Sequence, residues 1–437
     1  MVYQVDLLMV RYGCTRVLER TADRMALFRF LHAADLHIDS PLIGLARKSE
    51  EFAGRIDDAS RRAFDNLIST AIDEECSFVV IGGDVFDGQW RDYRTGLFFA
   101  DRMRRLEHAG IRVYIILGNH DAENRFASRL ELAENVHLFS HRKPETVWIE
   151  GLDAVIHGRS FPQREVSENI AQDYPAPVSG CFNIGLLHTA CTGRDGHAPY
   201  APCTVEQLVN HGYDYWALGH VHAREVVNLH PYIVYPGNLQ GRSPRETGPK
   251  GASLVTVDDG RVVGLDPRVL DVIRWSVASI DLGSCTDMST VHAVVREQIQ
   301  HSMDAADGRG LALRLRLSGT TPIHNEIVVH GPRLREDIET IAATVSDETW
   351  IEKIEVATLP PGRPETTDPT VAGRIRLVVE EFSGAPAFIE ILEKKLGEVR
   401  EKMPVAAHAD ELFSAIRSEG SARALNLALS LIESGQE

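Results

Sequence analysis

The chain has 437 residues, of which 43% are apolar and 25% charged, with 46 basic against 63 acidic side chains and a formal charge of −17. That length exceeds one ordinary core, and the composition is that of soluble globular protein, so two or three domains are expected. The acidic excess runs through both residues 1–270 and residues 271–437, which argues against an autonomous nucleic-acid binder, and no apolar run reaches the ~18 residues of a membrane span.

Residues 1–27 hold Arg11, Arg16 and Arg20 among short apolar stretches, without the core and cleavage site of a signal peptide. They read as an N-terminal extension, with Met25 as a second possible start. The rival reading is a short edge strand or helix docked on the core. The six cysteines form no C-x-x-C pair, which excludes a disulfide framework and a structural zinc site and fits a reducing cytoplasm.

From Phe28 apolar strands alternate with helices. Phe28–Ala34 is a strand, and Ser60–Glu75 an amphipathic helix with Ala63, Leu67, Ile68 and Ala71 on one face. Phe78–Ile81 is a buried strand, Thr95–Ala109 a helix and Arg112–Leu117 a strand, an alternation that predicts parallel pairing. After Asn135 come short strands, at Val136–Phe139, Thr146–Glu150, Ala154–Gly158, Phe182–His188, Trp216–Leu218, Val226–Leu229, Tyr232–Tyr235 and Ser253–Val257. They read as a second sheet packed on the first, which makes residues 28–270 an α/β sandwich of two sheets flanked by helices. A break is expected near Asp266-Pro267. Residues 271–358 then read strand, helix, strand, helix, strand, a small α+β domain. The proline-rich stretch from Pro360 to Pro364 is a linker, and residues 359–437 continue as a helical segment, with helices over Thr370–Glu381, Ala385–Lys402 and Ala409–Ser434.

Five polar segments stand out, most of them at strand ends: Asp35-Leu36-His37, Gly83-Asp84, Gly118-Asn119-His120-Asp121, His188 and Gly219-His220-Val221-His222. Strand ends of a sheet converge, so these segments can build one site for two divalent ions. Asp35 with His37, and His220 with His222, are spaced by two. On extended backbone that spacing presents each pair on one face. Carboxylate and imidazole together suit Mn²⁺, Fe²⁺ or Zn²⁺. Asp84 has two oxygens and can bridge ions roughly 3.5–4 Å apart. Asn119 offers a neutral amide oxygen. His120 is expected to face a phosphate, with Asp121 accepting a hydrogen bond from its ring and fixing its tautomer. Each segment alone is weak: Gly-Gly-Asp is usually a turn, N-H-D a loop and a single strand-end histidine structural. His32 and His157 read as structural, and His197 as a surface loop residue.

In this order the segments resemble the calcineurin-like metallophosphoesterase superfamily. Within it the chain is similar to the SbcD-type DNA-repair exonucleases, closest to their YhaO-like branch. The carriers are His32–Pro41 (HAADLHIDSP), Gly83–Gly88 (GDVFDG), Asp92–Gly96 (DYRTG) and Tyr235–Glu246 (YPGNLQGRSPRE). The resemblance covers Phe28–Pro267 well and is vague beyond it. It implies two metal ions, most often Mn²⁺, with Fe²⁺, Zn²⁺ and Mg²⁺ as alternatives. Asp35, His37, Asp84 and His222 would hold one ion, and Asp84, Asn119, His188 and His220 the other. His120 would serve the phosphate or the leaving oxygen. Tyr93, Arg94, Arg242 and Arg245 are candidate contacts for a nucleic-acid backbone. The resemblance further implies DNA as substrate, an SMC-like or AAA-type coiled-coil ATPase as partner, and a homodimer. The competing expectations are a cyclic-nucleotide or other small-molecule phosphodiesterase and a non-catalytic scaffold that keeps its metals for structure.

Overall fold

The computed structural model describes residues 25–42, 45, 58–87, 93–123, 132–191, 200–361 and 386–400, with isolated positions between 413 and 424. Most of the N-terminal extension, most of the linker, His197, the expected helix over Thr370–Glu381 and most of that over Ala409–Ser434 lie outside the described residues.

The first sheet is built from β1 (Phe28–Ala33), β2 (Phe78–Ile81), β3 (Arg112–Ile115), β4 (Val136–Leu138), β11 (Gly251–Asp258) and β12 (Arg261–Val269). Its order is β12-β11-β1-β2-β3-β4, and the β1-β2-β3-β4 run is parallel. The second sheet comprises β5 (Glu145–Trp148), β6 (Ala154–Gly158), β7 (Phe182–His188), β8 (Tyr215–Gly219), β9 (Glu225–Leu229) and β10 (Tyr232–Tyr235). Its order is β5-β6-β7-β8-β10-β9, with β6-β7-β8-β10 parallel.

Both sheets are buried on two faces, which is why their central strands are runs such as Phe-Val-Val-Ile rather than alternations. Between them lies a shared core in which Phe28, Phe30, Phe78 and Tyr114 meet Ile156, Phe182, Ile184 and Tyr215. The outer face of the first sheet is covered by α1 (Ala59–Asp73) and α2 (Arg94–His108). There Ala63, Phe64, Leu67, Ile68, Phe99 and Met103 pack on Leu31, Val79 and Val113. The outer face of the second is covered by α3 (Val205–His211) and the segments around Phe161 and Ile170. The expected two-sheet sandwich is therefore the observed one.

Two strands sit elsewhere than expected. β4 pairs with β3, and β11 pairs antiparallel with β1, so both belong to the first sheet. A short apolar run carries no record of its neighbour. The expected break at Asp266-Pro267 falls inside β12, where Pro267 lies opposite Ser253. β12 is an edge strand, and a proline's missing N–H is tolerated there. The chain leaves the sandwich at 270–272 instead.

Beyond it, β13 (Ile273–Asp281), β14 (Gly310–Thr320) and β15 (Thr349–Leu359) form a parallel three-stranded sheet. It packs against α4 (Met288–Ala305), α5 (His324–Val329) and α6 (Gly331–Val345). Trp275, Ala312 and Trp350 of this unit meet Leu42, Leu45 and Ala59 of the sandwich. A seventh described helix, α7 (Pro386–Arg400), follows. No helix among the described residues is long and apolar enough to cross a membrane. The five described cysteines are free thiols.

Candidate metal centre

The polar segments gather where the parallel strands of both sheets end. Beyond β1 and β2 the two chains keep company: Asp35 N–H donates to Gly83 O (2.9 Å), His37 N–H to Asp84 O (3.0 Å) and Ile38 N–H to Val85 O (3.0 Å). Asp35, His37, Asp84 and His220 all have positive φ, at 51°, 42°, 51° and 97°. Non-glycine residues adopt that region only where the surroundings impose it. Asp35 and His37 thus converge through left-handed turns and not, as the spacing suggested, through extended alternation. His220 and His222 join different clusters.

One cluster is Asp35, His37 and His222; another is Asp84, His188 and His220. Asp84 stands between them, its Oδ2 3.5 Å from His188 Nε2 and 3.9 Å from His37 Nε2. Asn119 Oδ1 lies 3.0 Å from His188 Nε2. All seven residues expected to hold metal are therefore brought together.

Their protonation fits a cation. His188 Nδ1 lies 2.8 Å from Gly82 O and must donate to it. Burial pushes the His188 pKa down to about 3, so the ring is neutral and Nε2 is a bare lone pair. That lone pair faces the oxygens of Asn119 and Asp84 with no proton between them. His222 Nδ1 is engaged by the Glu246 carboxylate at 2.9 Å, which leaves Nε2 as the nitrogen turned to the other candidate ligands. It sits 3.2 Å from His37 Nε2 and 3.8 Å from Asp35 Oδ1. Burial holds His37 near 3 as well, while burial and the neighbouring Asp84 raise Asp35 well above the carboxylate range. His188 Nε2 and Asn119 Oδ1 thus converge as two acceptors at 3.0 Å, an arrangement that a cation between them relieves. The donor set of neutral imidazole, carboxylate and amide oxygen is that of a borderline divalent ion.

His120 differs from the seven. Its side chain is one-third exposed, and its Nδ1 bonds Asp87 Oδ1 at 2.9 Å. Burial opposes its protonation, but the Asp87 hydrogen bond and the charges of Asp84 and Asp87 raise its pKa above the ordinary imidazole value. The expectation that Asp121 orients this ring is corrected. Asp121 accepts backbone N–H groups from Val85 (3.1 Å), Phe86 (2.8 Å) and Gly118 (3.1 Å), fastening the two loops that carry Asp84 and Asn119. Burial and Asp84 push its own pKa up to about 7. Adjacency in sequence misled, because the chain turns into a 3-10 helix at Asp121 and the imidazole is taken by the loop after β2.

Of the four expected substrate contacts, Arg242 reaches the centre, with Nη1 3.6 Å from Asp87 Oδ1 and 3.4 Å from Ser40 Oγ. Tyr93, Arg94 and Arg245 are exposed, the first two at the start of α2 and the last in the turn after β10. Sequence reasoning assigned no role to Asp87 or Glu246, although both lie in the stretches that carried the resemblance. The spacing of Asp87 three residues after Asp84 was the available signal. His32 and His157 are structural as expected. His32 bonds Tyr215 OH and Leu218 O, and His157 bonds Thr146 Oγ1 and Asn183 Oδ1.

Comparison with known proteins decides the family. Residues 28–224 match the model of the calcineurin-like phosphoesterases, and residues 275–359 match the middle domain of metallophosphoesterase YhaO. Over 325 residues the chain is 37% identical to a Bacillus subtilis protein described as the uncharacterized metallophosphoesterase YhaO, covering 73% of this chain and 78% of that one. The chain belongs to the calcineurin-like metallophosphoesterases. More distant relatives of this metallophosphoesterase include archaeal proteins described as DNA double-strand break repair protein Mre11. One, from Methanopyrus kandleri, is 26% identical over 231 residues, 48% of each chain. Another, from Haloferax volcanii, is 23% identical over 270 residues, 62% of this chain and 58% of that one. The chain thus spans only about half of these Mre11 relatives.

Proposed function

We propose that this metallophosphoesterase is a Mn²⁺-dependent phosphodiesterase of DNA, an exonuclease or endonuclease working in repair in the cytoplasm. The observation that carries the reading is a division of roles. Asp35, His37 and part-buried His222 form one group, and Asp84, His188 and His220 another, with Asn119 beside His188 and Asp84 between them, while partly exposed His120 is held by Asp87 in a third group that shares His37. Asp35, His37, Asp84 and His222 would hold one ion, and Asp84, Asn119, His188 and His220 the second. Two ions so held supply charge screening and Lewis acidity toward water and phosphoryl oxygens.

The remaining chemistry belongs to the protein. His120, with Nδ1 engaged by Asp87, can give a proton to the leaving oxygen through its other nitrogen. Arg242, beside Asp87, suits a non-bridging phosphate oxygen. The Mre11 relatives favour DNA over a small phosphodiester, as does the added α+β unit, which a small-substrate enzyme does not need. An SMC-like or AAA-type ATPase and a homodimer complete the proposal. With an acidic chain, a partner would supply much of the phosphate attraction.

The test offers the purified protein, with Mn²⁺, end-labelled DNA, a cyclic nucleotide and a chromogenic phosphodiester side by side. Shortening or nicking of DNA that chelator abolishes is the expected result. Turnover of the cyclic nucleotide with DNA left intact would overturn the choice of substrate.

A further inference from the structure

Glu246 is the part-buried hub of the turn that follows β10. Its Oε1 accepts from His222 Nδ1 at 2.9 Å. Its Oε2 accepts from Asn238 Nδ2 at 2.8 Å and from the Arg242 N–H at 2.8 Å. Lys250 closes the ring by donating to His222 O at 2.8 Å.

The other side of this turn is bolted to the α+β unit. Trp275, on β13, donates Nε1–H to Gly241 O at 2.8 Å, and its carbonyl accepts from Gly248 N–H at 3.2 Å. Gln240, fully within the interface, donates to Ile273 O at 2.7 Å and accepts from Val272 and Ile273 N–H at 3.0 and 3.2 Å. Gly241 is pinched between the two partners. A Cβ there would stand 2.7 Å from Glu246 O and 2.9 Å from the Trp275 ring. Asn238 joins the halves, its amide reaching both Gln240 O and Glu246.

We infer that Glu246 is a positioning residue for His222, and that its own place is set by β13 through Gly241 and Gln240, so that the α+β unit sets the geometry of one half of the metal centre. The inference rests on the reading of His222 as a metal ligand. Glu246 engages His222 Nδ1, which leaves Nε2 turned to the other candidate ligands, and holds the ring in plane. A shift of β13 moves the turn, and the turn carries the carboxylate. The α+β unit would then tune one ion while leaving the other, which relies on Asp84, Asn119, His188 and His220, untouched.

Calorimetric titration of full-length protein with Mn²⁺ tests this. Wild type should take up two ions. Glu246→Ala should weaken one of them about ten-fold or more, the range for partners of metal-bound histidines, and spare the other. Glu246→Gln, which keeps an acceptor oxygen, should recover part of the loss. Trp275→Phe and Gln240→Met, two independent cuts of the link to β13, should each weaken the same ion about three-fold, the scale of a lost hydrogen bond. Neither should weaken it further once Glu246 is alanine, because both act through that residue. Far-ultraviolet circular dichroism without metal should match wild type for the Gln and Phe variants. Wild type that takes up no Mn²⁺ would overturn the metal-centre reading and this inference together. Two ions in wild type with unchanged affinities in Glu246→Ala would overturn the inference alone. Effects of Trp275→Phe or Gln240→Met that add in full to that of Glu246→Ala would overturn the link to the α+β unit.

Discussion

Asp87 serves His120 as Glu246 serves His222: a carboxylate takes one ring nitrogen and thereby decides what the other can do. The consequences differ, because one ring is a proposed ligand and the other a proposed proton donor. His120→Ala should lower kcat by roughly 10²–10⁴-fold with Mn²⁺ content at the wild-type level, the span typical of a lost general acid. Asp87→Asn should lower it by about 10–100-fold, the scale of a lost orienting partner. Loss of metal together with activity in His120→Ala would place that ring among the ligands. His32 gives a test in stability. Burial lowers its pKa to about 3 from an ordinary 6.5, so the folded protein keeps it neutral while the unfolded chain protonates it. Its contribution is therefore intact above pH 6.5 and is lost as pH falls from 6.5 toward 3, at about 1.4 kcal/mol per pH unit. His32→Gln should flatten the acid limb of the unfolding free energy by one proton, read from denaturation midpoints at pH 7, 5.5 and 4.5. An unchanged slope would show that His32 is protonated in the fold.

Where the two sheets meet, the strand ends approach closely enough to exclude side chains. A Cβ on Gly219, at the end of β8, would stand 2.0 Å from Gly82 O, just beyond β2, and one on Gly118 would stand 2.3 Å from Asp84 Oδ1. Gly82 O is also the acceptor that fixes the His188 tautomer, so this approach sets both packing and chemistry. Gly219→Ala should cost about 1–3 kcal/mol or more, seen as a lower urea midpoint, and should weaken Mn²⁺ binding with it. A variant with wild-type stability and metal uptake would show that the strand ends are looser than drawn. Elements of this kind were legible in sequence wherever burial leaves a pattern. The α1 face of Ala63, Leu67, Ile68 and Ala71 is the buried one, and Phe78–Ile81 is β2. β12 was not legible, because as an edge strand it alternates, carries a proline and announces no burial. The sheet membership of β4 and β11 was hidden too, since pairing depends on where the chain returns. The seven proposed ligands were readable because metal chemistry restricts residue type. Asp87 and Glu246 were not, because a carboxylate that orients a histidine looks like any surface acid until the ring beside it is known.

Taken whole, the molecule is a pair of sheets that share one site: Asp35, His37, Asp84 and Asn119 follow strands of the first, while His188, His220 and His222 come from strand ends of the second. Ions held there would tie the layers together, so binding should raise the melting temperature. At a hundred times Kd the stabilisation is about 2.7 kcal/mol per ion, and chelator should reverse it. An unmoved melting temperature in saturating Mn²⁺ would mean the layers are joined without them. The same ligand set also reverses the local sign of a chain whose formal charge is −17. Only two of the seven donors are carboxylates, so two divalent ions would leave the ligand set at about +2, and at about +1 with the adjoining Asp87, Glu246 and Arg242 counted. A polyanion would then be repelled by the molecule at large and drawn to a single well, with the low-dielectric walls focusing the field. Loaded and stripped protein should respond to salt in opposite senses. Added salt slows oligonucleotide association with the first, by screening an attraction. It hastens association with the second, by screening a repulsion.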